Sequence, residues 1–455
     1  MTADEDGLPA ETADQPPGAE DAGWQPRQGV LMSKKTGVVV AVLGICALSV
    51  FLVNCGSSSS RPAGLLYVLS QQENNVSSYS IDLDTGFLDL ITENLPATCP
   101  TAPCGLPVSI SLDPTDATAF VLNQFSISGY TVNSDGSLSS PTTAATFSAS
   151  PAEPALAMAR DAAGAFMFVI SEGALPSASD CGNLPVTDAT CPSIQVYTTS
   201  PGSTSATLAS TFLLNRIPTG LSVISFTPQG ASSPVTMLFV TSSQDLTQAH
   251  NDNELSVYTV SSSGVLTEQQ NSPYTTEINP QVALAVNTNP AGQTTGGIFV
   301  YVANQGSVTG SVSVFQVCTV VQQNSICTPQ NVSDLQLIPV GNPATVGITP
   351  SAMIVDPTNS FLYVACSGQS QVYAFHMVTG TGLLTPLSPA SVSTGGTPVS
   401  MAMHPNYNAG AQFLYVSNST GSSVTGFNLA ATTGTLTNPQ TILFPPGEPS
   451  GIAVK

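Results

Sequence analysis

The stretch PSAMIVDP at residues 350–357, followed by FLYV at residues 361–364, contains the unit from which most of this chain is built. Its first part opens with proline and alternates apolar with small or polar residues. Its second part is a short apolar run that includes an aromatic residue followed by valine. Both patterns are typical of β-strands, and the Asp-Pro pair between them is typical of a turn. The stretch therefore predicts a β-hairpin.

Both strands of this hairpin recur, which indicates a repeat architecture. The aromatic residue that precedes valine occurs seven times, at Tyr67, Phe120, Phe168, Phe239, Tyr301, Tyr363 and Tyr415. The proline that opens the other strand also occurs seven times, at Pro107, Pro154, Pro218, Pro280, Pro350, Pro398 and Pro449. An alternating strand follows the aromatic one, and in several copies a Gly-x-Leu turn introduces a fourth strand. Each repeat therefore predicts one small antiparallel sheet.

The two sets of strands are offset by one element. The first aromatic strand, at residues 66–68, has no proline-opened strand before it, and the last proline-opened strand, at residues 449–454, has no aromatic strand after it. A closed ring explains this offset if the C-terminal strand completes the blade that the N-terminal strands begin. Residues 63–455 are therefore predicted to be all-β. They form a seven-bladed β-propeller with four-stranded antiparallel blades, in which radial repetition leaves only short sheet edges.

The composition indicates which classes of partner this propeller is expected to bind. Only 8% of the 455 residues are charged, and the formal net charge is −21. Nucleic acids and anionic membrane surfaces are bound by clusters of Lys and Arg, so neither is an expected partner. We expect a monomer that binds an unknown small molecule, a glycan or a protein.

Three segments precede the predicted propeller. Residues 1–31 are rich in Pro, Ala and acidic residues and predict a disordered tail, so Met32 is a second candidate for the start of the protein. Residues 32–55 combine two lysines with an apolar run, which indicates a signal peptide or a transmembrane anchor. Residues 56–62 are a Ser-rich tether. Each alternative places the propeller outside the cytoplasm.

The end of the apolar run offers a more specific alternative. LVNCG, at residues 52–56, resembles the lipobox of bacterial lipoproteins, which implies lipidation of Cys55. Asn54 departs from the small residue that usually precedes the cysteine, so an uncleaved anchor and a simple cleaved signal stay open. With a lipidated cysteine or an uncleaved anchor, the protein is attached to the membrane of a bacterium, facing the periplasm or the cell surface.

The cysteines of the propeller support an oxidising compartment. Six of them form close pairs within loop-like sequence, namely Cys99 with Cys104, Cys181 with Cys191, and Cys318 with Cys327. Such pairs predict disulfides in an exported protein. Cys366 is left over, and we expect it to be a small buried residue.

Two groups of side chains are candidates for a functional site. Strand alternation brings the start of each proline-opened strand to the face that also carries the loops after the aromatic strands. We call this the top face. Glu153 and Glu448 directly precede Pro154 and Pro449, so their carboxylates are candidates for an acid and base pair, for cation ligands, or for two solvated rim carboxylates.

The second group lies in the loop of the fourth blade on the same face. It comprises Asp245, His250, Asp252 and Glu254 and is the densest set of ligand-type side chains in the chain. Ca²⁺ or another divalent cation is a candidate ligand, and a solvated polar loop is the alternative. Two further histidines are expected to be structural: His376 on a strand, and His404 in place of the Asp of the Asp-Pro turn.

The body of the chain resembles the lactonase-type and YVTN-repeat propellers, which include the 6-phosphogluconolactonases. The resemblance rests on the stretch at residues 350–364 and on PVSMAMHP (residues 398–405) with FLYVSN (residues 413–418). It implies the propeller fold, a bacterial setting and hydrolysis of a sugar lactone.

The chain departs from the enzymes of this family in two ways. They usually carry His after a blade-opening proline and Pro-Asp-Gly-Arg in the next hairpin, and neither motif occurs here. After Cys55 the basic residues are Arg61, Arg160, Arg216 and Lys455, against 21 acidic ones, which is few for binding a sugar phosphate. The sequence therefore predicts a membrane-tethered binding or scaffolding module with a degenerate active site. The alternative is hydrolysis of an uncharged lactone by the top-face carboxylates.

Overall fold

The computed structural model describes residues 64–97, 105–146, 154–173, 181, 191–228, 231–245, 253–288, 297–319, 326–327, 335–404, 412–443 and 447–455. Within these ranges the chain forms thirty β-strands and one short 3-10 turn at Ser367–Gln369. None of the helical segments in these ranges has the length and hydrophobicity needed to cross a membrane.

Each of the seven sheets has an innermost and a second strand that correspond to the predicted hairpin. The innermost strands are β4 (Pro107–Leu112), β8 (Ala155–Arg160), β12 (Arg216–Phe226), β17 (Pro280–Asn287), β22 (Pro350–Val355), β26 (Pro398–Met403) and β30 (Pro449–Val454). The second strands are β1 (Leu65–Ser70), β5 (Thr118–Asn123), β9 (Phe166–Ser171), β13 (Val235–Asp245), β18 (Ile298–Asn304), β23 (Phe361–Cys366) and β27 (Gln412–Asn418).

Two further layers complete each sheet toward the rim. The third strands are β2 (Asn75–Ile81), β6 (Ser126–Thr131), β10 (Ser193–Thr198), β14 (Glu254–Val260), β19 (Gly310–Cys318), β24 (Gln371–Met377) and β28 (Ser423–Leu429). The outer strands are β3 (Leu88–Pro96), β7 (Thr142–Thr146), β11 (Thr207–Leu213), β15 (Leu266–Glu268) with β16 (Tyr274–Thr275), β20 (Gln336–Pro339) with β21 (Ala344–Val346), β25 (Leu384–Ser393) and β29 (Leu436–Leu443).

The ring closes through blade one, as predicted. This sheet has the order β3-β2-β1-β30, so the last strand of the chain pairs antiparallel with the first. The backbone amides of Leu65 and Lys455 each donate to the carbonyl of the other, at 3.2 and 2.9 Å. Blades two to seven follow in chain order, each antiparallel within its sheet. The prediction of a seven-bladed β-propeller is confirmed.

In blades two, three and six, an Asp side chain accepts hydrogen bonds from the hairpin between the first two strands. In blade six, Asp356 Oδ1 accepts from the amides of Ser360 and Phe361 at 2.7 and 2.6 Å. His404 occupies the same position in blade seven, where its amide donates to the carbonyl of Phe413. Asp356 makes the matching backbone bond to Phe361. The prediction that His404 is a hairpin residue is confirmed.

A β-bulge lies near the start of all seven innermost strands. The pairing register shifts, for example, between Pro350 and Ala352 and between Pro398 and Ser400. The residue between each pair therefore has no partner on the second strand, and a bulge re-aims the side chain of such a residue. The unpaired residue directly follows the opening proline in six blades, and in blade three it is Leu156, two residues after Pro154.

The hydrophobic core lies between the blades. Seven separate clusters of buried apolar side chains occur, one at each interface between neighbouring blades. The cluster between blades six and seven joins Tyr363 and Val372 to Leu414 and Phe427, all almost fully buried. Because every blade has two faces packed against its neighbours, the middle of its second strand is apolar and buried, as in Phe120–Leu122 and Leu362–Val364.

Four of these interfaces share one polar bond. A tyrosine of the second strand donates its hydroxyl to the carbonyl of a glycine in the outer hairpin of the next blade. The four pairs are Tyr67 with Gly136 at 2.9 Å, Tyr301 with Gly382 at 2.9 Å, Tyr363 with Gly434 at 2.7 Å, and Tyr415 with Gly86 at 2.9 Å. Gly434 has φ +69° and lies against the ring of Phe361, so a Cβ there would overlap that ring. The Gly-x-Leu turn of the repeat is therefore a contact between blades.

The other three interfaces use different bonds, because Phe120, Phe168 and Phe239 lack a hydroxyl. Between blades three and four, Ser210 Oγ donates to the carbonyl of Gly264 at 2.6 Å. Between blades four and five, the amide of Leu337 donates to the hydroxyl of Tyr274 at 3.1 Å. Each of these two bonds joins neighbouring blades, as the tyrosine bonds do elsewhere in the ring.

Between blades two and three, the amide of Gly202 donates to Asp113 Oδ2 at 2.6 Å. The Arg160 side chain reinforces this interface, since its guanidinium carbon lies 5.0 Å from the centre of the Phe120 ring.

Two of the predicted disulfides are present in the described residues. Cys181 is bonded to Cys191, and Cys318 is bonded to Cys327. The third predicted pair, Cys99 with Cys104, lies outside the described residues, as does Cys55. Cys366 is a free thiol that is fully buried, and burial raises its pKa to about 12. This confirms the prediction for Cys366.

Candidate functional site

The innermost strands of all seven blades line a central channel. A cavity of about 470 Å³ occupies it, lined by Val, Leu, Ile, Met, Ala and Gly residues together with five serines and Arg160. Each innermost strand pairs along one edge only, with the second strand of its own blade. The wall of the channel therefore combines side chains with backbone groups of seven strand edges, and its surface is both polar and apolar.

The mouth of the channel on the top face carries small and polar side chains. The seven residues that follow the opening proline are Val108, Ala155, Thr219, Gln281, Ser351, Val399 and Ser450. The hydroxyls among them hold the ring together. Thr219 donates to the carbonyl of Pro280 at 2.6 Å, Ser351 to that of Pro398 at 2.7 Å, and Ser450 to that of Pro107 at 3.3 Å. Each of these bonds joins one blade to the next.

Two serines deeper in the channel also bond to the next blade, but they accept a backbone amide instead of donating a hydroxyl. A third serine does not. Ser222 Oγ accepts from the amide of Ala285 at 2.9 Å, and Ser400 Oγ accepts from the amide of Ile452 at 3.4 Å. Ser109 has the same position in blade two as Ser400 in blade seven, two residues after the opening proline. The hydroxyl of Ser109 is buried and has no hydrogen-bond partner.

The structure places Glu448, one of the two predicted catalytic carboxylates, outside the cavity wall. Glu448 is exposed, its backbone carbonyl accepts from the amide of Gln71 at 2.9 Å, and it is not among the residues that line the cavity. Glu153 lies outside the described residues, so the pairing of the two carboxylates stays a prediction.

Half of the predicted metal group lies in the described residues. Asp245 ends β13, where its backbone pairs with that of Arg216, and Glu254 begins β14. The Glu254 carboxylate forms an ion pair with Arg216 Nε, and Glu268 lies 3.9 Å from the same guanidinium. His250 and Asp252 lie outside the described residues. In the part of the chain that is described, no three acidic, histidine or cysteine side chains are grouped as metal ligands.

Two of the three basic residues that the structure describes are held in ion pairs. Arg216 is paired with Glu254, and Lys455 Nζ lies 3.6 Å from Asp116. Arg160 ends β8, and its Nη2 lies 3.4 Å from the hydroxyl of Thr199. Arg216 and Lys455 are therefore already partnered and do not form a free clamp for a phosphate.

Burial lowers the pKa of Arg160, and the negative charges of Asp113 and Asp161 partly offset that effect.

Sequence reasoning missed Ser109 and Arg160. Arg160 carried a usable signal, because it precedes the turn residue Asp161 where other innermost strands end in apolar residues such as Leu112 and Val355. Nothing in the sequence distinguishes Ser109, because it follows the same Pro-Val dipeptide as Ser400.

The family described as lactonase, 7-bladed β-propeller, matches residues 251–403 and 346–453 of this chain. The predicted resemblance to the lactonase-type propellers is confirmed. The two matched ranges overlap within the ring and include the stretches on which the resemblance rests. No curated protein matches the chain.

Solved structures of lactonase-type propellers have the same fold. The periplasmic gluconolactonase of Pseudomonas aeruginosa is 16% identical, with a TM-score of 0.57 over 86% of this chain and 98% of that one. A candidate 6-phosphogluconolactonase from Bacteroides fragilis is 14% identical, with a TM-score of 0.58 over 88% and 99%. A protein from Lactobacillus plantarum is 16% identical, with a TM-score of 0.58 over 86% and 99%. At identities of 14–16%, the similarity to these structures establishes the fold alone.

Proposed function

We propose that this protein is an extracytoplasmic propeller that binds a ligand at its central channel and has lost the lactone hydrolysis of similar propellers. One observation carries the proposal. Thr219, Ser351 and Ser450 at the mouth donate their hydroxyls to carbonyls of the next blade. Groups that hold the ring together are not available to activate water or to stabilise a developing charge.

The distribution of positive charge supports the same proposal. A phosphorylated lactone is a dianion, and such groups are usually held by Arg or Lys in a fork or clamp. Arg216 and Lys455 are paired with acidic residues, so Arg160, at the end of β8, is the one described basic residue that lines the cavity. One cation on the described surface of the channel is fewer than such a fork or clamp uses.

The compartment is part of the proposal. Disulfides Cys181–Cys191 and Cys318–Cys327 are expected in an oxidising space, and a periplasmic gluconolactonase has the same fold. We propose that residues 32–55 direct export and that Cys55 or the apolar run then tethers the propeller to the membrane. Fractionation of cells that express the chain, with and without a Cys55→Ala change, tests the lipid tether.

A lactone panel tests the loss of hydrolysis. We expect the purified full-length protein not to accelerate the ring opening of gluconolactone or 6-phosphogluconolactone above the spontaneous rate, with or without Ca²⁺. Turnover that disappears in Glu153→Gln or Glu448→Gln would overturn the proposal. Glu93→Gln is the matched control, since Glu93 is exposed on the outer strand β3, away from the channel.

Hydrolysis of an uncharged lactone is the second candidate function. Glu448 favours it, because this exposed carboxylate directly precedes β30 at the mouth of the channel and a carboxylate can act as a general base for water. The same panel separates the two functions: turnover of gluconolactone but not of its phosphorylated form, dependent on Glu448, is the expected result for the second candidate.

A further inference from the structure

The outer strand of blade three, β11, is the least protected sheet edge of the ring. An outer strand has one edge without a partner in its own sheet, and proteins protect such edges with charge, proline, short length or a covering segment. β11 has seven residues, TLASTFL, and contains neither a charged residue nor a proline. Among the described strands it pairs only with β10, and its first three residues are exposed.

The outer edges of the other six blades each have at least one of these protections. In blades four and five the outer edge is divided into pieces of two to four residues. In blade two, β7 has five residues, and the carbonyl of Ala144 accepts from the amide of Ala206 at 3.4 Å. Charge or proline protects the remaining three, through Asp89 and Glu93 in β3, Pro386 and Pro389 in β25, and Pro439 in β29.

The free edge of β11 presents backbone groups that can pair with another strand. The amide of Leu214, just beyond β11, donates to the carbonyl of Pro192 at 2.7 Å, so these two residues form a hydrogen-bonded pair. Bonded and non-bonded pairs alternate along an antiparallel ladder, and the register is regular over residues 210–213. The amides and carbonyls of Thr211 and Leu213 therefore point away from β10.

The distribution of charge favours a second copy of this chain at that edge. The formal net charge of −21 makes two copies repel each other over most of their surface. The surface around β11 is different, because residues 136–146, 191–215 and 255–267 contain no charged side chain. These ranges include β7, β10, β11 and the outer hairpin of blade four. Two copies can approach here without bringing like charges together, whereas an oppositely charged partner would find no charge to pair with.

We propose that two copies of the protein associate through β11, which pairs with β11 of the second copy in antiparallel orientation about a twofold axis. Such pairing uses the same residues on both copies and closes at a dimer. It supplies bonding partners for the outward amides and carbonyls of Thr211 and Leu213. One pair of seven-residue strands buries little area, so the contact belongs to the weak, concentration-dependent class. The inference goes beyond the proposed channel function and departs from the monomer expected from the sequence.

Sedimentation velocity of the full-length protein in a nonionic detergent, over a range of protein concentrations, tests the dimer. We expect monomer and dimer in exchange, with a dimer fraction that rises with concentration. A monomer at every concentration up to about 0.1 mM would overturn the proposal. Growth beyond the dimer that depends on Leu208 would overturn the twofold pairing.

Two matched leucines locate the contact. Leu208 in β11 and Leu90 in β3 are 51% and 53% exposed, and they lie opposite equivalent tyrosines of the third strand, Tyr197 and Tyr79. Leu208→Lys places a charge on the proposed contact and should lower the dimer fraction at least about fivefold. Leu90→Lys changes the net charge equally and should leave the dimer fraction unchanged. Equal dimer fractions in the two variants would contradict the assignment.

A proline variant tests the backbone pairing independently of charge. Thr211→Pro removes an amide that faces away from β10, so it breaks no bond within blade three and should lower the dimer fraction as Leu208→Lys does. An unchanged dimer fraction in a folded Thr211→Pro variant would overturn the pairing through β11. If thermal melting shows that this variant does not fold, the two leucine variants decide the proposal.

Two other properties of the chain do not affect this comparison. The apolar run at residues 37–53 is the same in all variants, so association through it would not differ between Leu208→Lys and Leu90→Lys. Lactone turnover by a dimeric protein would overturn the proposed loss of hydrolysis and leave the β11 dimer standing.

Discussion

Two interfaces of the ring use a glycine turn at the same place in the blade, but in one the glycine accepts a hydrogen bond and in the other it donates one. Between blades six and seven, the carbonyl of Gly434 accepts the hydroxyl of Tyr363. Between blades two and three, the amide of Gly202 donates to the carboxylate of Asp113. A tight turn with glycine at positive φ exposes both a backbone donor and a backbone acceptor, so either kind of partner on the neighbouring blade can be satisfied.

The difference shows that the contacts made by the turn glycine can change from one repeat to another while the ring stays closed. A Cβ on Gly434 would overlap the Phe361 ring, whereas a Cβ on Gly202 would meet no atom within 4 Å. The apolar contact has therefore been lost at the second position, where Asp113 and Arg160 take over. Three of the four tyrosine bonds start from blades five to seven, which contain most of the residues that the lactonase family matches.

The largest expected effect comes from breaking the ring itself. Removal of residues 447–455 deletes β30, which pairs with β1 and contributes Ile452 to the cluster between blades seven and one. Both interfaces of blade one then lose their innermost strand, so we expect the cooperative thermal transition to be lost or lowered by more than about 10 °C. Removal of residues 1–31 is the control and should leave the melting temperature unchanged. Equal melting of both truncations would contradict ring closure.

The next largest effect is expected at the carboxylate between blades two and three. Asp113 accepts from the amides of Gly202, Ala117 and Thr118, so Asp113→Ala should lower the free energy of unfolding by about 2–4 kcal/mol in urea titrations. Asp135→Ala is the control, since Asp135 is exposed and bonds only within its own turn at Ser137. Similar losses in both variants would mean that the bond between blades adds nothing.

The pH dependence of the same interface has a definite sign. Burial alone would raise the pKa of Asp113, but the hydrogen bonds from Gly202, Thr115, Thr118 and Ala117 outweigh it and lower the pKa below its ordinary value of 3.8. The bonds therefore stabilise the protein above about pH 4, and their contribution is lost as the pH falls through the lowered pKa. Asp113→Asn should show a smaller loss of stability between pH 5 and pH 2 than the unaltered chain.

The smallest effect is expected at a single tyrosine bond. Tyr363→Phe removes the hydroxyl that Gly434 accepts and keeps the buried ring, so we expect a loss of about 0.5–1.5 kcal/mol in urea titrations. Tyr373→Phe in the same blade is the control, because its hydroxyl bonds to Gln369 in an exposed position. If the two variants are equally stable, the tyrosine bond does not distinguish this interface from that of blades two and three.

The architecture was predictable because it depends on a local pattern that is repeated. The opening proline, the aromatic-valine pair and their offset each follow from neighbouring residues, and together they require a ring that the termini close. His404 was also predictable, since a turn position is defined by the strands on either side of it.

The polar bonds between blades were not predictable, because each joins groups that are far apart in the sequence. Ser109 and Ser400 follow the same dipeptide, yet only Ser400 reaches an amide of the next blade. Whether a hydroxyl meets a neighbour depends on how two separately folded sheets are packed, and neither strand pattern contains that information. The chemistry of the channel is therefore a property of the assembled ring.

The pairing of β1 with β30 has a consequence for the order of folding. Leu66 and Val454 face each other across this pair although almost the whole propeller separates them in the chain. Contacts so distant form late, since the intervening chain must be ordered first. Until then blade one is a three-stranded sheet whose inner edge is open, and open edges can pair with other chains. The chain is thus most exposed to aggregation in the interval before β30 pairs with β1.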